Sequence, residues 1–370
     1  MSEWSEPLIC SYSNPVKVVA STGALGRLLT LVPSEGKILL VTTSGFTRRG
    51  LTARILEMLG ENRVLVYDQV TPNPEIDDLD NATIQFKSCQ VRCLIALGGG
   101  SVMDSAKILG VTLKSNLDRP LAQVFRNNLQ NTWNSRLPVI CIPTTSGTGA
   151  EVTPFATVWD PKDHKKYSVA GAEVYPTYAL LDPELTLSLP EDQTFYTALD
   201  AISHGLESLW NRNRTSLSSA FAMQALALAV EAFPMIFSQP GHLEKRSQMQ
   251  QASMLAGMAI SQTRTAIAHS ISYPLTSHFG VPHGLACSFT LRELLKNNLD
   301  LIVTQPHERP ILVAVLNLLE SLNLGEKVRT YSSAETIMDL RGEMETKGRA
   351  DNFIGKMSYG LDELLSSSLK

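Results

Sequence analysis

Charge is scarce in this chain, aromatic side chains are scarcer, and cysteine is sparse and scattered. Asp, Glu, Lys and Arg make up 18% of 370 residues and leave a formal charge of -4, so no general field draws the chain to nucleic acid or to an acidic membrane surface. Any anion recognition must be local. The five cysteines (Cys10, Cys89, Cys93, Cys141 and Cys287) are an odd number at no zinc-knuckle spacing, which excludes a secreted disulfide framework. They read as reduced, mostly buried small apolar side chains. The first residues, MSEWSEPLICSYS, carry acids in place of a basic and apolar leader, and no run of about 18 apolar residues occurs. The expectation is a cytoplasmic protein without a membrane partner. A G-x-G-x-x-G fingerprint after the first strand is also missing, which counts against a conventional Rossmann dehydrogenase.

What is present is an alternation. The stretches KILLVTT, RVLVYDQV, VRCLIALGGGS and LPVICIPTTSGTG read as buried strands, and GLTARILEMLG, ending at Gly60, reads as a helix between two of them. Strands alternating with helices predict a parallel sheet. After about Leu189 the chain turns to long helical stretches, SSAFAMQALALAVEAF and KRSQMQQASMLAGMAISQTRTAIAHS. The length exceeds what one core usually supports. We therefore expect an α/β domain over 1–187 and a helical domain over 188–370, with the active site in the cleft between them.

Two strands run into glycine turns. In GGGSVMDSAK, Gly98, Gly99, Gly100 and Ser101 bare the backbone where a helix begins, a favourable seat for phosphate. Asp104 caps or charges that first turn, and Lys107 either approaches phosphate or is solvated. In PTTSGTGAE, Thr144, Thr145 and Thr148 offer hydroxyls suited to a nicotinamide or ribose. Either turn can equally be an ordinary polar loop.

The second half holds ALDAISHGLES, AIAHSISYPL and GVPHGLACS. Asp200 and His204 are four apart, hence on one face of a helix. With His269 and His283 they make three imidazoles and a carboxylate, a set suited to iron(II) or zinc. Singly, each histidine reads more simply as a surface or core residue.

In this order and spacing, GGGSVMDSAK, PTTSGTGAE, ALDAISHGLES and GVPHG resemble the iron-containing (group III) alcohol dehydrogenase family, from about NPVKVVASTGAL to GVPHGLACS. The resemblance implies a dinucleotide-binding α/β domain with a parallel sheet and an all-α C-terminal domain, the dehydroquinate synthase-like fold. It implies a metal on Asp200, His204, His269 and His283, pyrophosphate on Gly99 and Ser101, and cofactor contacts at Thr144, Thr145, Thr148 and Lys166. Family members commonly form dimers or larger assemblies, so the resemblance implies a homodimer as one expectation. Three positions depart from the family pattern. Tyr273 stands where a second histidine usually helps to move protons, and Tyr273 precedes Pro274, which tends to force it from the helix. His278 is the substitute candidate. Ala150 replaces a serine, and Phe155, a candidate substrate contact, replaces a residue often polar, making the nicotinamide side of the pocket more apolar.

After KILLVTT, Thr43 and Ser44 replace the acid that binds ribose in many NAD users, and Arg48 and Arg49 can pair with a 2'-phosphate. NADPH is favoured over NADH; the plainer reading is that both arginines are solvated. TRTAIAHSISYPLTSHFGVPHG further resembles the phosphonoacetaldehyde reductases within this family, with Arg264 the donor to an anionic head group. As an isolated residue five positions before His269, Arg264 is about 140° away around a helix. The expected activity is reduction of a small anionic aldehyde. The alternatives are a general short-chain alcohol dehydrogenase, a dehydroquinate synthase-like lyase, or a nucleotide-binding regulator with a degenerate site.

Overall fold

The computed structural model describes residues 11–130, 133–163, 165–357 and 360–370. Cys10 lies outside them. Two compact units emerge: one comprises Pro15–Thr145 with Ala150–Leu189, the other Pro190–Lys370 together with Ser146–Gly149 and residues 11–14. The turn Ser146–Gly149 thus belongs with the helices, which a division at a single point in the chain does not provide for.

The first unit is built on a parallel sheet. Its strands are β1 (Lys17–Ala20), β2 (Lys37–Val41), β3 (Val64–Tyr67), β4 (Val91–Gly98), β5 (Val139–Pro143) and β8 (Tyr178–Leu181), in the order β1, β8, β5, β4, β2, β3. An antiparallel hairpin of β6 (Phe155–Asp160) and β7 (Lys165–Ala170) stands apart from it. Strand β5 is apolar throughout, and β2 and β4 are apolar apart from the exposed Lys37 and Arg92, because both faces are covered. Leu39, Val41, Leu94, Ala96 and Cys141 join one core, and Ile38, Leu40, Cys93, Ile95, Ile140 and Ile142 the other. From β2 the chain moves to β3 on one side, and from β4 to β5 on the other. The order therefore reverses between β2 and β4, whose carboxyl ends are where a doubly wound sheet binds nucleotides.

Labelled by the helices that matter for the sites, α1 (Gly100–Thr112) follows β4, and the second unit contains α2 (Glu191–Leu209), α3 (Ser216–Ser238), α4 (Leu243–Thr263), α5 (Ile267–Phe279) and α6 (His283–Ala286). By length and composition α3 is apolar enough to cross a membrane, with mean hydropathy 1.7, yet Ala222, Leu226, Ala229 and Phe233 form a stripe buried in the helical core. The single long helix expected over 245–270 is two. Arg264 closes α4 at φ 62°, ψ -175°, and its carbonyl accepts from the Asn211 amide (3.2 Å) and the Thr263 hydroxyl (2.9 Å), so helical hydrogen bonding stops there. Tyr273, by contrast, stays inside α5 despite Pro274. Burial of Ile267, Ile271 and Leu275 on one face of α5 overrides the local preference.

Candidate metal centre and nucleotide seat

Asp200 and His204 lie one turn apart on α2, both buried, and Glu207 continues the same stripe at the seventh position. Three imidazoles converge on one oxygen, Asp200 Oδ1: Nε2 of His204 at 3.5 Å, of His269 at 3.5 Å and of His283 at 3.9 Å. The His204 and His269 rings are stacked at 4.8 Å, and His283 meets His269 edge-on at 5.2 Å. The far nitrogens are held. His204 Nδ1 lies 3.3 Å from the Gly147 carbonyl, and His269 Nδ1 lies 2.6 Å from Glu207 Oε2. His269 Nε2 is buried and has no hydrogen-bond partner.

Glu207 was not singled out in the sequence, and it organises the site. Its carboxylate accepts from the backbone amides of Ala266 (3.0 Å), Ala268 (2.6 Å) and His269 (3.2 Å), the free donors at the start of α5. The break after α4 makes those amides available. Burial opposes charge on Glu207, but His269 and the amides hold its carboxyl below the usual range. Burial likewise opposes charge on His269, yet Glu207 and then Asp200 outweigh it and push the imidazole up to about 9. Asp200 is well below the ordinary carboxylate range because the three imidazoles overcome its burial. Burial lowers His204.

Cys287 is a free and buried thiol, as expected, and its Sγ stands 3.5 Å from Asp200 Oδ1. Ligand atoms of Asp200, His269, His283 and Cys287 all lie within 4.8 Å of one another. The fixed thiol is four residues after His283, on the same turn of chain. His283 itself is brought in by Gly284: a Cβ there would sit 1.8 Å from the Tyr196 carbonyl oxygen, so only glycine lets α6 press against α2. Gly147 and Gly149 serve the same end, since a Cβ would meet Thr197 O or Gly257 Cα at 2.4 Å. Thr148, between them, is half-buried.

Two expectations for this unit need correcting. His278 is nine residues after His269, half a rotation away on α5, exposed and paired with Glu343 Oε2 at 2.9 Å. It is not part of this cluster. Arg264 is not on the helix of His269 at all; it is an exposed capping residue at the break. Tyr273 sits one turn after His269, and burial pushes its hydroxyl up to about 12.

In the first unit, Gly99 is the N-cap of α1 and Gly98 closes the turn, where a Cβ would strike Val102 at 2.6 Å. Gly100 and Ser101 form the first turn, half-exposed. Thr144 is buried with its amide on the Gly98 carbonyl, and Thr145 beside Gly99 has a buried hydroxyl without a partner. Both oxygens of Asp104 are engaged within the protein. Its Oδ2 accepts from the Thr157 amide (2.8 Å), and Oδ1 faces Lys107 Nζ (3.4 Å). Lys107 is neither solvated nor free for phosphate: fully buried, it spends its amine on the carbonyls of Ala150 and Phe155 and the Thr153 hydroxyl. Phe155 thereby starts β6 with its carbonyl engaged. Lys166, on β7, lies over the Trp159 ring at 5.5 Å. Beyond β2, Thr43 bridges to Gln69, Arg48 donates to Ser44 (3.1 Å), and Arg49 stacks on Phe46 (4.6 Å). Both arginines are exposed, but Asp68 accepts from Thr47 (2.8 Å) and brings a carboxylate to the same loop.

Known proteins agree with this arrangement. The iron-containing alcohol dehydrogenase model matches residues 15–183, and the C-terminal model of the Fe-containing alcohol dehydrogenase family matches residues 194–352. Phosphonoacetaldehyde reductase of Streptomyces viridochromogenes is 34% identical over 263 residues, covering 70% of this chain and 66% of its own length, a little under two thirds. Sulfoacetaldehyde reductase of Bilophila wadsworthia is 32% identical over 277 residues, covering 74% of this chain and 70% of its own. The crystal structure of a sulfoacetaldehyde reductase from Bifidobacterium kashiwanohense in complex with NAD+ shares the fold, with TM-score 0.85 and 24% identity over 98% of both chains. The chain belongs to the iron-containing alcohol dehydrogenase family.

Proposed function

We propose that this protein is a metal-dependent oxidoreductase that passes hydride from a nicotinamide nucleotide to a short aldehyde. The observation that carries the reading is His269 Nε2, buried and unpartnered, facing Asp200 beside two further imidazoles. A buried polar atom without a partner costs about 1–3 kcal/mol. A divalent ion held by Asp200, His204, His269 and His283 would engage all four groups, and iron(II) or zinc suits three nitrogens and one oxygen. Such an ion supplies Lewis-acid polarisation of the substrate carbonyl.

The chain's own residues do the rest. Glu207 and the Gly147 carbonyl hold the far nitrogens of His269 and His204, which keeps each Nε2 turned inward. His283, more than a third exposed, leaves one side of the set accessible. Tyr273 keeps its proton at neutral pH and acts as a hydrogen-bond donor; the proton that completes the alcohol then comes from water. The unpartnered Thr145 hydroxyl and the N-terminus of α1 support a nucleotide with its pyrophosphate at Gly99 and Ser101.

In the finer reading the donor is NADPH and the reaction is phosphonoacetaldehyde plus NADPH and a proton giving 2-hydroxyethylphosphonate and NADP+. Exposed Arg48 and Arg49 favour the 2'-phosphate, and they must outweigh Asp68. The named activity of the Streptomyces relative supports the substrate. The test is nucleotide consumption by metal-reconstituted protein with phosphonoacetaldehyde, beside NADH and propanal arms and a His269→Ala control. Consumption specific to NADPH and the phosphonate, lost in the variant, is the expected result. Equal rates with propanal would sink the phosphonate assignment, and no turnover of any aldehyde would sink the oxidoreductase.

A further inference from the structure

Most arginines of the helical unit are spent: Arg292 pairs with Glu293, Arg341 with Asp362, and Arg246 with Thr194 and the Pro240 carbonyl. Arg349 is different. It is half-buried, its guanidinium lies 4.5 Å above the centre of the Tyr273 ring, and among the described residues it has no carboxylate or hydrogen-bond partner for its side chain. Tyr273 is the residue one turn after His269 on α5, so its side chain shares the face of the candidate metal ligand.

The arginine is held in place. Thr346 donates its amide to Ser270 Oγ (2.8 Å) and its hydroxyl lies 2.7 Å from the same atom, while Asn352 Nδ2 donates to the Thr265 carbonyl (2.9 Å). Residues 346–352 are thus pinned at both ends to α5 and to the loop before it. Stacking on an aromatic ring fixes the plane of the guanidinium and leaves its edge free to donate. The Thr265 hydroxyl, hydrogen-bonded to Tyr273, adds a second polar group.

We propose that Arg349, laid on Tyr273, recognises a tetrahedral oxyanion on the aldehyde substrate and so sets the preference for anionic over uncharged short aldehydes. The inference rests on the oxidoreductase reading and names the group that selects its substrate class. A planar fork of N–H donors matches phosphonate or sulfonate oxygens two at a time. Four residues, about 6 Å of rise, separate His269 from Tyr273 along the axis. A two-carbon chain with a head group at one end and a carbonyl at the other spans that distance.

The experiment compares kcat/KM for phosphonoacetaldehyde, sulfoacetaldehyde and propanal in the wild type, Arg349→Met and Arg349→Lys. Phosphonoacetate binding, measured by calorimetry, runs alongside. In Arg349→Met the ratio of phosphonoacetaldehyde to propanal kcat/KM should fall about 10–100-fold, mostly through KM, and phosphonoacetate binding should weaken by a similar factor. Lysine, which keeps charge but not the fork, should recover part of it. Added salt should depress the anionic preference of the wild type and not of Arg349→Met. An equal fall for all three aldehydes, or unchanged phosphonoacetate affinity, would overturn the proposal and make Arg349 a support for Tyr273. If the wild type reduces no aldehyde, the oxidoreductase reading fails, while phosphonoacetate binding still decides whether Arg349 holds an oxyanion. A sulfonate preferred to a phosphonate would keep the role of Arg349 and change only the source of the head group.

Discussion

Replacing Glu207 with glutamine tests the construction of the site at its most loaded residue. The carboxylate accepts four hydrogen bonds, two on each oxygen: Ala266 N and His269 Nδ1 on Oε2, Ala268 N and His269 N on Oε1. An amide has one acceptor, so its NH2 must face donors whichever way it turns. On the Oε1 side it orphans two backbone amides, each costing about 1–3 kcal/mol. On the Oε2 side it orphans Ala266 N and forces Nδ1 of His269 to accept. The ring then carries its proton on Nε2, the atom that faces Asp200. The metal-free protein should lose about 1–6 kcal/mol in equilibrium denaturation, the lower end with one amide orphaned and the upper with two. Affinity for iron(II) or zinc, read by chelator competition, should fall about 10–100-fold, the usual effect of losing such an outer partner. A variant within about 0.5 kcal/mol of wild type that binds metal equally well would refute the reasoning.

Two further outcomes follow from buried groups elsewhere. Glu151 is almost fully buried, and burial raises its carboxyl from 4.5 to about 7. The folded state therefore holds the proton more tightly, and this residue's contribution to stability falls as pH rises from about 4.5 to 7, by about 3 kcal/mol in total. Glu151→Gln should remove that fall, seen as a difference between unfolding free energies at pH 5 and pH 8; an unchanged difference would refute it. Gly284→Ala puts a methyl against the Tyr196 backbone, so α6 must retreat and take His283 with it. A loss of at least about 1–3 kcal/mol and weakened metal binding are expected. Gly342→Ala, whose Cβ would meet nothing within 4 Å, is the control, and equal behaviour of the two variants would refute the packing argument.

Strands β2 to β5 were legible because burial in or beside the sheet core writes predominantly apolar runs that end in glycine or in turn residues. The four-residue β1 and β8 and the hairpin of β6 and β7 were not, being too short or too exposed to stand out by pattern. Without the hairpin, Lys107 had no visible partner and Asp104 seemed available to a ligand. At the metal candidates, Asp200 and His204 were readable from spacing. The same rule applied once more would have reached Glu207, three residues on from His204, and Cys287, four on from His283. Arg349 had no such signal. It lies 80 positions after His269 in a stretch of turns, and only the contacts of Thr346 and Asn352 bring it to α5. The misreading of Arg264 has a plain cause: the period of α4 was carried across a break that hydrogen bonding to Asn211 and Thr263 creates.

That break also separates two clocks. In one continuous helix, each residue inserted or deleted anywhere upstream would turn His269 by about 100° around the axis. With α5 started afresh at Ile267 on the carboxylate of Glu207, the angular setting of His269 depends on the two-residue step from Ile267 and on α2. The loop feeding α4 is thereby released from setting the aim of His269, and changes in its length can accumulate without turning the imidazole, while α4 keeps its contact with Gly149 through Gly257.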